Sequence, residues 1–308
     1  MGFNPMRLAS SLFPLPNSAS NQTSTKSYYE ILTYDINGMD SGSAIPSTSR
    51  DDFYRLPVKV PPLPTQRRIA EILGRLDDKI EVNRRINRTL EAMAQALFQH
   101  HFVEFGPYQA ELVESEGGVI PRGWEVKSLD EIADFLNGLA LQKYPPKDDE
   151  YLPVIKIVEM RRGVTEATGR ASPNLPSPYI VEDGDVLFSW SGSLLVSIWA
   201  HGRGALNQHL FKVTSSNYPK WFYYQWIQHY LSEFQAIAAG KATTMGHIQR
   251  YHLSDAKVVV PPEDTFEVLD RSMNTWLNLF INNELENRKL TEIRDYLLPR
   301  LLSGEIAV

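Results

Sequence analysis

The sequence predicts an α+β fold: a mixed-sheet domain flanked by two long helices that pair as an antiparallel coiled coil. Three observations predict it. First, the chain repeats itself at an offset of 200 residues: Val60-Pro61-Pro62 returns as Val260-Pro261-Pro262. Thr65, Asn83, Asn87, Arg88, Leu90 and Leu97 return as Thr265, Asn283, Asn287, Arg288, Leu290 and Leu297. Second, each copy is a proline stop followed by apolar residues at helical period, the mark of a duplicated supersecondary unit. Third, between the copies lie short apolar runs parted by Gly, Pro and Asp turns, the pattern of strands. The middle segment leaves one end of a helix and returns to a far end, so intrachain pairing is antiparallel.

The elements follow in order. Residues 1–27 are rich in Ser, Asn and Pro without a period, and are expected to be disordered or loosely docked. Tyr28 to Tyr34 forms a short helix or strand, Gly38 to Ser49 a loop, and Leu56 to Val60 a strand ending at Pro61-Pro62. The first long helix opens at Pro64-Thr65, where a missing proline N–H costs nothing, and its pattern ends near Phe105-Gly106-Pro107. At 1.5 Å per residue it would run roughly 55–60 Å. Its heptads place Ile69, Leu76, Asn83, Leu90 and Leu97 at a, and Ile72, Lys79, Ile86, Met93 and His100 at d. The second helix, 265–302, places Leu269, Trp276, Asn283, Leu290 and Leu297 at a, with Ser272, Leu279, Glu286, Ile293 and Arg300 at d. Asn83 and Asn283 share one heptad position, and a buried Asn in such a seam fixes register at a cost in stability.

In the middle segment, Val126 to Leu129, Pro153 to Val158, the run ending Val186-Leu187-Phe188-Ser189-Trp190, Leu194 to Trp199, Leu210 to Val213 and Val258 to Val260 are candidate strands. Lys220 to Ala239 is a helix whose aromatics, Trp221, Phe222, Tyr223, Tyr224 and Trp226, are spaced for core rather than for base stacking. A polar loop, Gly240 to His247, follows it.

Composition narrows the function. The chain has 308 residues, a formal net charge of −6 and no cysteine. Disulfides, thiolate catalysis and cysteine-bound zinc are excluded, and a reducing cytoplasm is the expected setting. The acidic balance argues against non-specific coating of nucleic acid, which runs on phosphate neutralisation, while leaving room for a local basic face. No apolar run is long enough to span a membrane. There is no phosphate loop, no dinucleotide fingerprint, no H-E-x-x-H, no G-x-S-x-G and no Asn-Pro-Pro-aromatic tetrapeptide, so no catalytic residue is assigned. The pair His100-His101 is read as complementing a helix C-terminus, and Asp148-Asp149-Glu150 as a solvated turn; no metal site is expected.

These residues resemble the specificity subunit of type I restriction-modification systems. The stretch Pro61-Pro62-Leu63-Pro64-Thr65-Gln66-Arg67-Arg68-Ile69-Ala70-Glu71-Ile72-Leu73, continuing to Ala94, is similar to the family's central conserved region. Pro121-Arg122-Gly123-Trp124 resembles the start of its second target-recognition domain, and Leu298-Pro299-Arg300-Leu301-Leu302-Ser303-Gly304-Glu305-Ile306 its C-terminal ending. The resemblance implies four parts. Residues 1–62 would be a disordered N-terminus and the remnant of a first target-recognition domain. Residues 63–107 and 263–308 would be the two conserved spacer helices, and 108–262 the one complete recognition domain. It departs from the family's two full readers, since only Ser41 to Pro46 and Asp51 to Tyr54 look like part of the first.

The resemblance implies a non-catalytic subunit that binds double-stranded DNA and directs adenine methylation and cleavage by partners. Modification (methyltransferase) subunits would carry S-adenosylmethionine. A restriction (translocase/endonuclease) subunit would use ATP and Mg, and this chain would hold no cofactor. The alternative is a partner-binding or decoy subunit whose targeting is impaired by the short first reader. A symmetric homodimer would restore two readers. Direct readout needs donors and acceptors at base edges and cations on flanking phosphates. The candidates are Lys241, Thr243, Thr244, His247, Gln249 and Arg250 in one loop, with Gly240 and Gly246 letting the backbone approach closely. Ser189, Trp190, Ser191 and Ser193 surround a Gly turn, and Asn207, Gln208 and His209 form a third cluster. Arg161 and Arg162, on an expected loop, would hold phosphates.

Overall fold

The computed structural model describes residues 29–31, 33, 34, 39, 51, 54–57, 60–115, 118–240 and 246–308. The sequence readings on 1–27, on Ser41 to Pro46, on Asp52-Phe53 and on Lys241, Thr243 and Thr244 therefore lie outside the described residues. In chain order come α1 (Leu63–Phe98), a π-helical turn (Gln99–Val103), a 3₁₀ turn (Gly106–Glu111), β1 (Leu112–Ser115), β2 (Gly118–Pro121) and β3 (Glu125–Ser128). Then follow α2 (Leu129–Ile132), β4 (Asp134–Asn137), β5 (Leu152–Ile155), α3 (Ile157–Arg162), β6 (Arg170–Ala171), β7 (Ile180–Val181) and β8 (Val186–Ser189). The chain continues through β9 (Val196–Ile198), β10 (Gly204–Leu206), β11 (Leu210–Thr214), α4 (Lys220–Gly240), α5 (Arg250–Asp255), β12 (Lys257–Val260) and α6 (Glu263–Ser303). No helix among the described residues is long and apolar enough to cross a membrane.

The chain divides into two compact units, Met1–Arg84 with Glu286–Val308, and Arg85–Leu285. In the first, the start of α1 lies antiparallel to the end of α6. Ile69 and Leu73 form an apolar cluster with Tyr29, Leu298 and Leu301. Asp77 accepts hydrogen bonds from Tyr29 Oη at 2.6 Å and from Arg294 Nη1 at 2.8 Å. Asn83 Nδ2 donates to Asn287 Oδ1 at 3.0 Å and to Glu286 Oε2 at 2.7 Å, and Lys79 pairs with the same carboxylate at 3.0 Å.

In the second unit the equivalent bond is made in the other direction. Asn283 Nδ2 donates to Asn87 Oδ1 at 2.8 Å, while Asn87 Nδ2 donates to Glu284 Oε1 at 2.7 Å and to the Phe280 carbonyl at 3.3 Å. Each asparagine of one repeat thus meets the other asparagine of the second repeat, four buried amides in all. Asn83 and Asn283 do lie in the seam, but their partners are Asn287 and Asn87 rather than each other.

The second line of the seam falls one residue later than the sequence pattern placed it. Met93 is 63% exposed, Ile86 39%, Leu279 43% and Ile293 44%, and Lys79 and His100 are also exposed. The buried line is Leu73, Ile80, Asn87 and Ala94, answered in α6 by Met273, Asn287, Arg294 and Leu301. Residues at i+3 and i+4 flank the same a position, and the face turned to the partner decides between them.

Two four-stranded sheets run in the orders β6-β5-β10-β7 and β4-β11-β8-β9, with two further pairs, β12-β3 and β1-β2. The first sheet is mixed, since β10 runs parallel to β5 and antiparallel to β7. All four residues of β8 are buried, which suits a run of Val-Leu-Phe rather than an alternating strand. The aromatic stripe of α4 is core, as its spacing requires: Trp221, Phe222 and Trp226 cluster with Phe98, Phe102 and Trp124. Trp221 satisfies its indole N–H on Asp270 at 2.7 Å. The segment expected as a strand over Pro153 to Val158 splits into β5 and α3, so Arg161 and Arg162 end a short helix instead of standing in a loop. Leu56, Pro57 and Val60 are not in a strand, and the rest of that segment lies outside the described residues.

Candidate nucleic-acid interface

Strand register gathers the site. Phe211 of β11 stands opposite Asn137 of β4 and Phe188 of β8, and Leu210 stands opposite Ser189. The last residue of β4, the residue after β8 and the residue before β11 therefore meet at one end of the sheet. Those residues are Asn137, Trp190 and His209. Gly138 permits this closeness, because a Cβ there would lie 2.3 Å from the Asn207 carbonyl oxygen.

Ser189 belongs to the framework and offers nothing to a ligand. It is fully buried; its hydroxyl accepts the Leu195 N–H at 2.8 Å and lies 3.1 Å from the Ser193 carbonyl oxygen, closing the turn after β8. Asn207 is also buried, and its Oδ1 accepts the His209 N–H at 3.2 Å, shaping the β10–β11 turn. Ser191 is buried with Oγ 3.0 Å from His209 Nδ1. Gln208 Nε2 lies 3.3 Å from His209 Nε2. An amide nitrogen is only a donor, so Nε2 accepts and Nδ1 carries the proton that it donates to Ser191. These three sequence candidates, Ser189, Ser191 and Asn207, are buried and spend their side chains on the surrounding turns.

Trp190 is half-buried at the centre. Its ring lies 5.8 Å from that of His209, 6.0 Å from Phe211 and 6.2 Å from His247. The 246–250 segment is tied to the 190–192 turn by Gly192 N–H to the Gly246 carbonyl at 2.8 Å, Ile248 N–H to the Trp190 carbonyl at 3.0 Å, and a Ser191–His247 bridge. Gly246 is needed there, since a Cβ would lie 2.2 Å from the Ala238 carbonyl oxygen, whereas Gly240 has open space around it. Arg250 Nη2 donates to the Phe135 carbonyl at 3.1 Å, with its guanidinium 5.5 Å from the Phe211 ring centre. Gln249 and Ser193 are exposed beside them.

The fold thus joins three clusters separated in sequence into one polar surface around an aromatic post. Arg161 and Arg162 are exposed at the end of α3, and no hydrogen bond, ion pair or ring contact among the described residues links them to it. Sequence reasoning missed Asn137, whose exposed amide accepts the Trp190 indole N–H at 2.8 Å. The signal was the Asn137-Gly138 pair at a strand end, a place where only glycine allows a second backbone so near.

The family described as the type I restriction modification DNA specificity domain matches residues 11–92 and 121–295. The chain belongs to that family. Two specificity subunits are similar along most of this chain. The type I restriction enzyme HindI specificity subunit of Haemophilus influenzae is 25% identical over 93% of this chain and 75% of its own length. The MjaIX specificity subunit of Methanocaldococcus jannaschii is 28% identical over 92% of this chain and 67% of its own. Among solved structures, the type I restriction-modification S subunit from M. genitalium matches at a TM-score of 0.52 and 16% identity, covering 94% of this chain and 74% of that one. That likeness concerns the fold alone.

Proposed function

We propose that this type I specificity protein is the non-catalytic subunit that selects DNA sequence for a type I complex. In this reading it directs adenine methylation and cleavage by partner subunits. The observation that supports it most is the convergence of Trp190, Gln208, His209, His247 and Arg250 on one end of a sheet, within a domain that the family match covers. Rings and carboxamides offer stacking and both kinds of hydrogen bond, and Arg250 brings a cation, which suits base edges and phosphates together. Partner subunits would supply S-adenosylmethionine, ATP and Mg.

A docking face for the modification subunit is read on α1. Arg85, Arg88, Thr89, Ala92, Met93 and Ala96 line an open groove of about 550 Å³, with Met93 63% exposed. An exposed helix groove that sets Met93, Ala92 and Ala96 beside Arg85 and Arg88, with the opposite face buried, fits an amphipathic partner helix. The experiment is to co-express the chain with its modification subunit and map methylated adenines genome-wide. A defined split motif is expected, and a motif with two-fold-symmetric halves would mean that two copies supply two readers. A stable complex without any methylation motif would overturn the targeting role.

A further inference from the structure

We infer that Asn137 is a specificity-determining residue that reads an acceptor edge of one base pair, and that Trp190 is the residue that sets its orientation. The inference rests on the DNA-recognition reading and deepens it.

Asn137 is the last residue of β4, exposed, and held on both sides by β11 register and by the close approach at Gly138. Its side chain has one hydrogen bond among the described residues, from Trp190 Nε1 to Oδ1 at 2.8 Å. An indole N–H only donates, so it faces the amide oxygen and turns the Nδ2 hydrogens outward. The indole is flanked by the rings of His209, Phe211 and His247, which favour the orientation that makes this bond.

An unrestrained asparagine pairs with adenine through one donor and one acceptor. Here the oxygen is directed inward and two donors face out from a rigid strand end. Guanine O6 and N7, or thymine O4, complement that arrangement, whereas the cytosine amino group opposes it. The neighbouring Gln208 amide is oriented the opposite way: its nitrogen meets His209, which leaves its oxygen as the free acceptor. A preference at one position for a base that presents acceptors in the major groove follows.

The test is selection of binding sites from a randomised double-stranded DNA library by the full chain, alone and with the modification subunit. Asn137→Asp keeps an acceptor for the indole but replaces the outward donors by an acceptor. It should lose discrimination at one base position by about 5- to 150-fold, the range of one good base contact, and shift that position toward cytosine. Trp190→Phe removes the N–H that orients the amide; it should relax the same position toward adenine more than any other position. An unchanged motif in both variants, or an equal loss at every position, would overturn the inference while leaving sequence recognition standing. A wild-type chain that selects no sequence in either form would overturn the recognition reading and this inference together.

Discussion

The four-asparagine seam makes a quantitative prediction that is independent of function. Asn87→Leu would strand the Asn283 amide nitrogen, which now donates to Asn87 Oδ1 at 2.8 Å, and would leave the Phe280 carbonyl without its 3.3 Å side-chain donor. An orphaned buried polar group costs about 1–3 kcal/mol. The bond to Glu284 is lost as well, but that carboxylate is partly exposed and regains water, so the single variant is expected to lose about 2–4 kcal/mol. Asn283→Leu strands only Asn87 Oδ1 and should cost about 1–3 kcal/mol. The double variant leaves neither amide orphaned and replaces the pair with apolar contact. It should be less destabilised than the sum of the singles by about 2 kcal/mol. Urea unfolding followed by intrinsic tryptophan fluorescence, with all six tryptophans in the same unit, measures this, provided the slope with urea is unchanged among variants. Single-variant losses that add to the double within about 0.5 kcal/mol would mean that the two amides do not meet. The seam would then be refuted.

Three further outcomes are expected. Asp77→Asn leaves Arg294, 9% exposed at its side chain, with the exposed Asp295 as its one charged partner among the described residues; the loss should be about 3 kcal/mol in the same urea assay, and no loss would disprove the buried pair. Glu91 is held above its ordinary value of 4.5, first by burial and then by Glu284. A raised folded-state value means its contribution is whole below the unfolded value and lost as pH rises through the folded one, so Glu91→Gln should raise Tm at neutral pH and leave it unchanged near about pH 4. Gly138→Ala drives a Cβ to within 2.3 Å of the Asn207 carbonyl oxygen and should cost about 1–3 kcal/mol, with loss of sequence selectivity; wild-type Tm would contradict the close approach.

The repeat, the proline stops and the heptads were enough to place both helices, because helical period and chain breaking are local properties. The start of α1 at Leu63 and of α6 at Glu263 lies within two residues of the sequence expectation. Phase was harder. Ile72 and Leu73 are both apolar neighbours of Ile69, and nothing local says which faces the partner; Lys79 and His100 on the i+3 line were the available warning. Asn87 and Asn287 were visible as repeated residues, yet their burial depends on that phase.

The candidate surface divides in the same way. The sequence offered Trp190, Gln208, His209, His247, Gln249 and Arg250 as candidates, since polar and aromatic residues beside glycine turns are legible in one dimension. Which of their neighbours point inward was not. Ser189, Ser191 and Asn207 satisfy buried backbone and side-chain groups, a duty that exists only once three separate turns are brought together. Asn137 enters the site from a strand more than 50 residues away, through pairing with β11. The sequence by itself determined the helices, the class of fold and the family. Tertiary structure decided which polar groups are spent on the protein and which remain exposed at the candidate surface, because hydrogen-bonding capacity is consumed by neighbours that only strand pairing supplies.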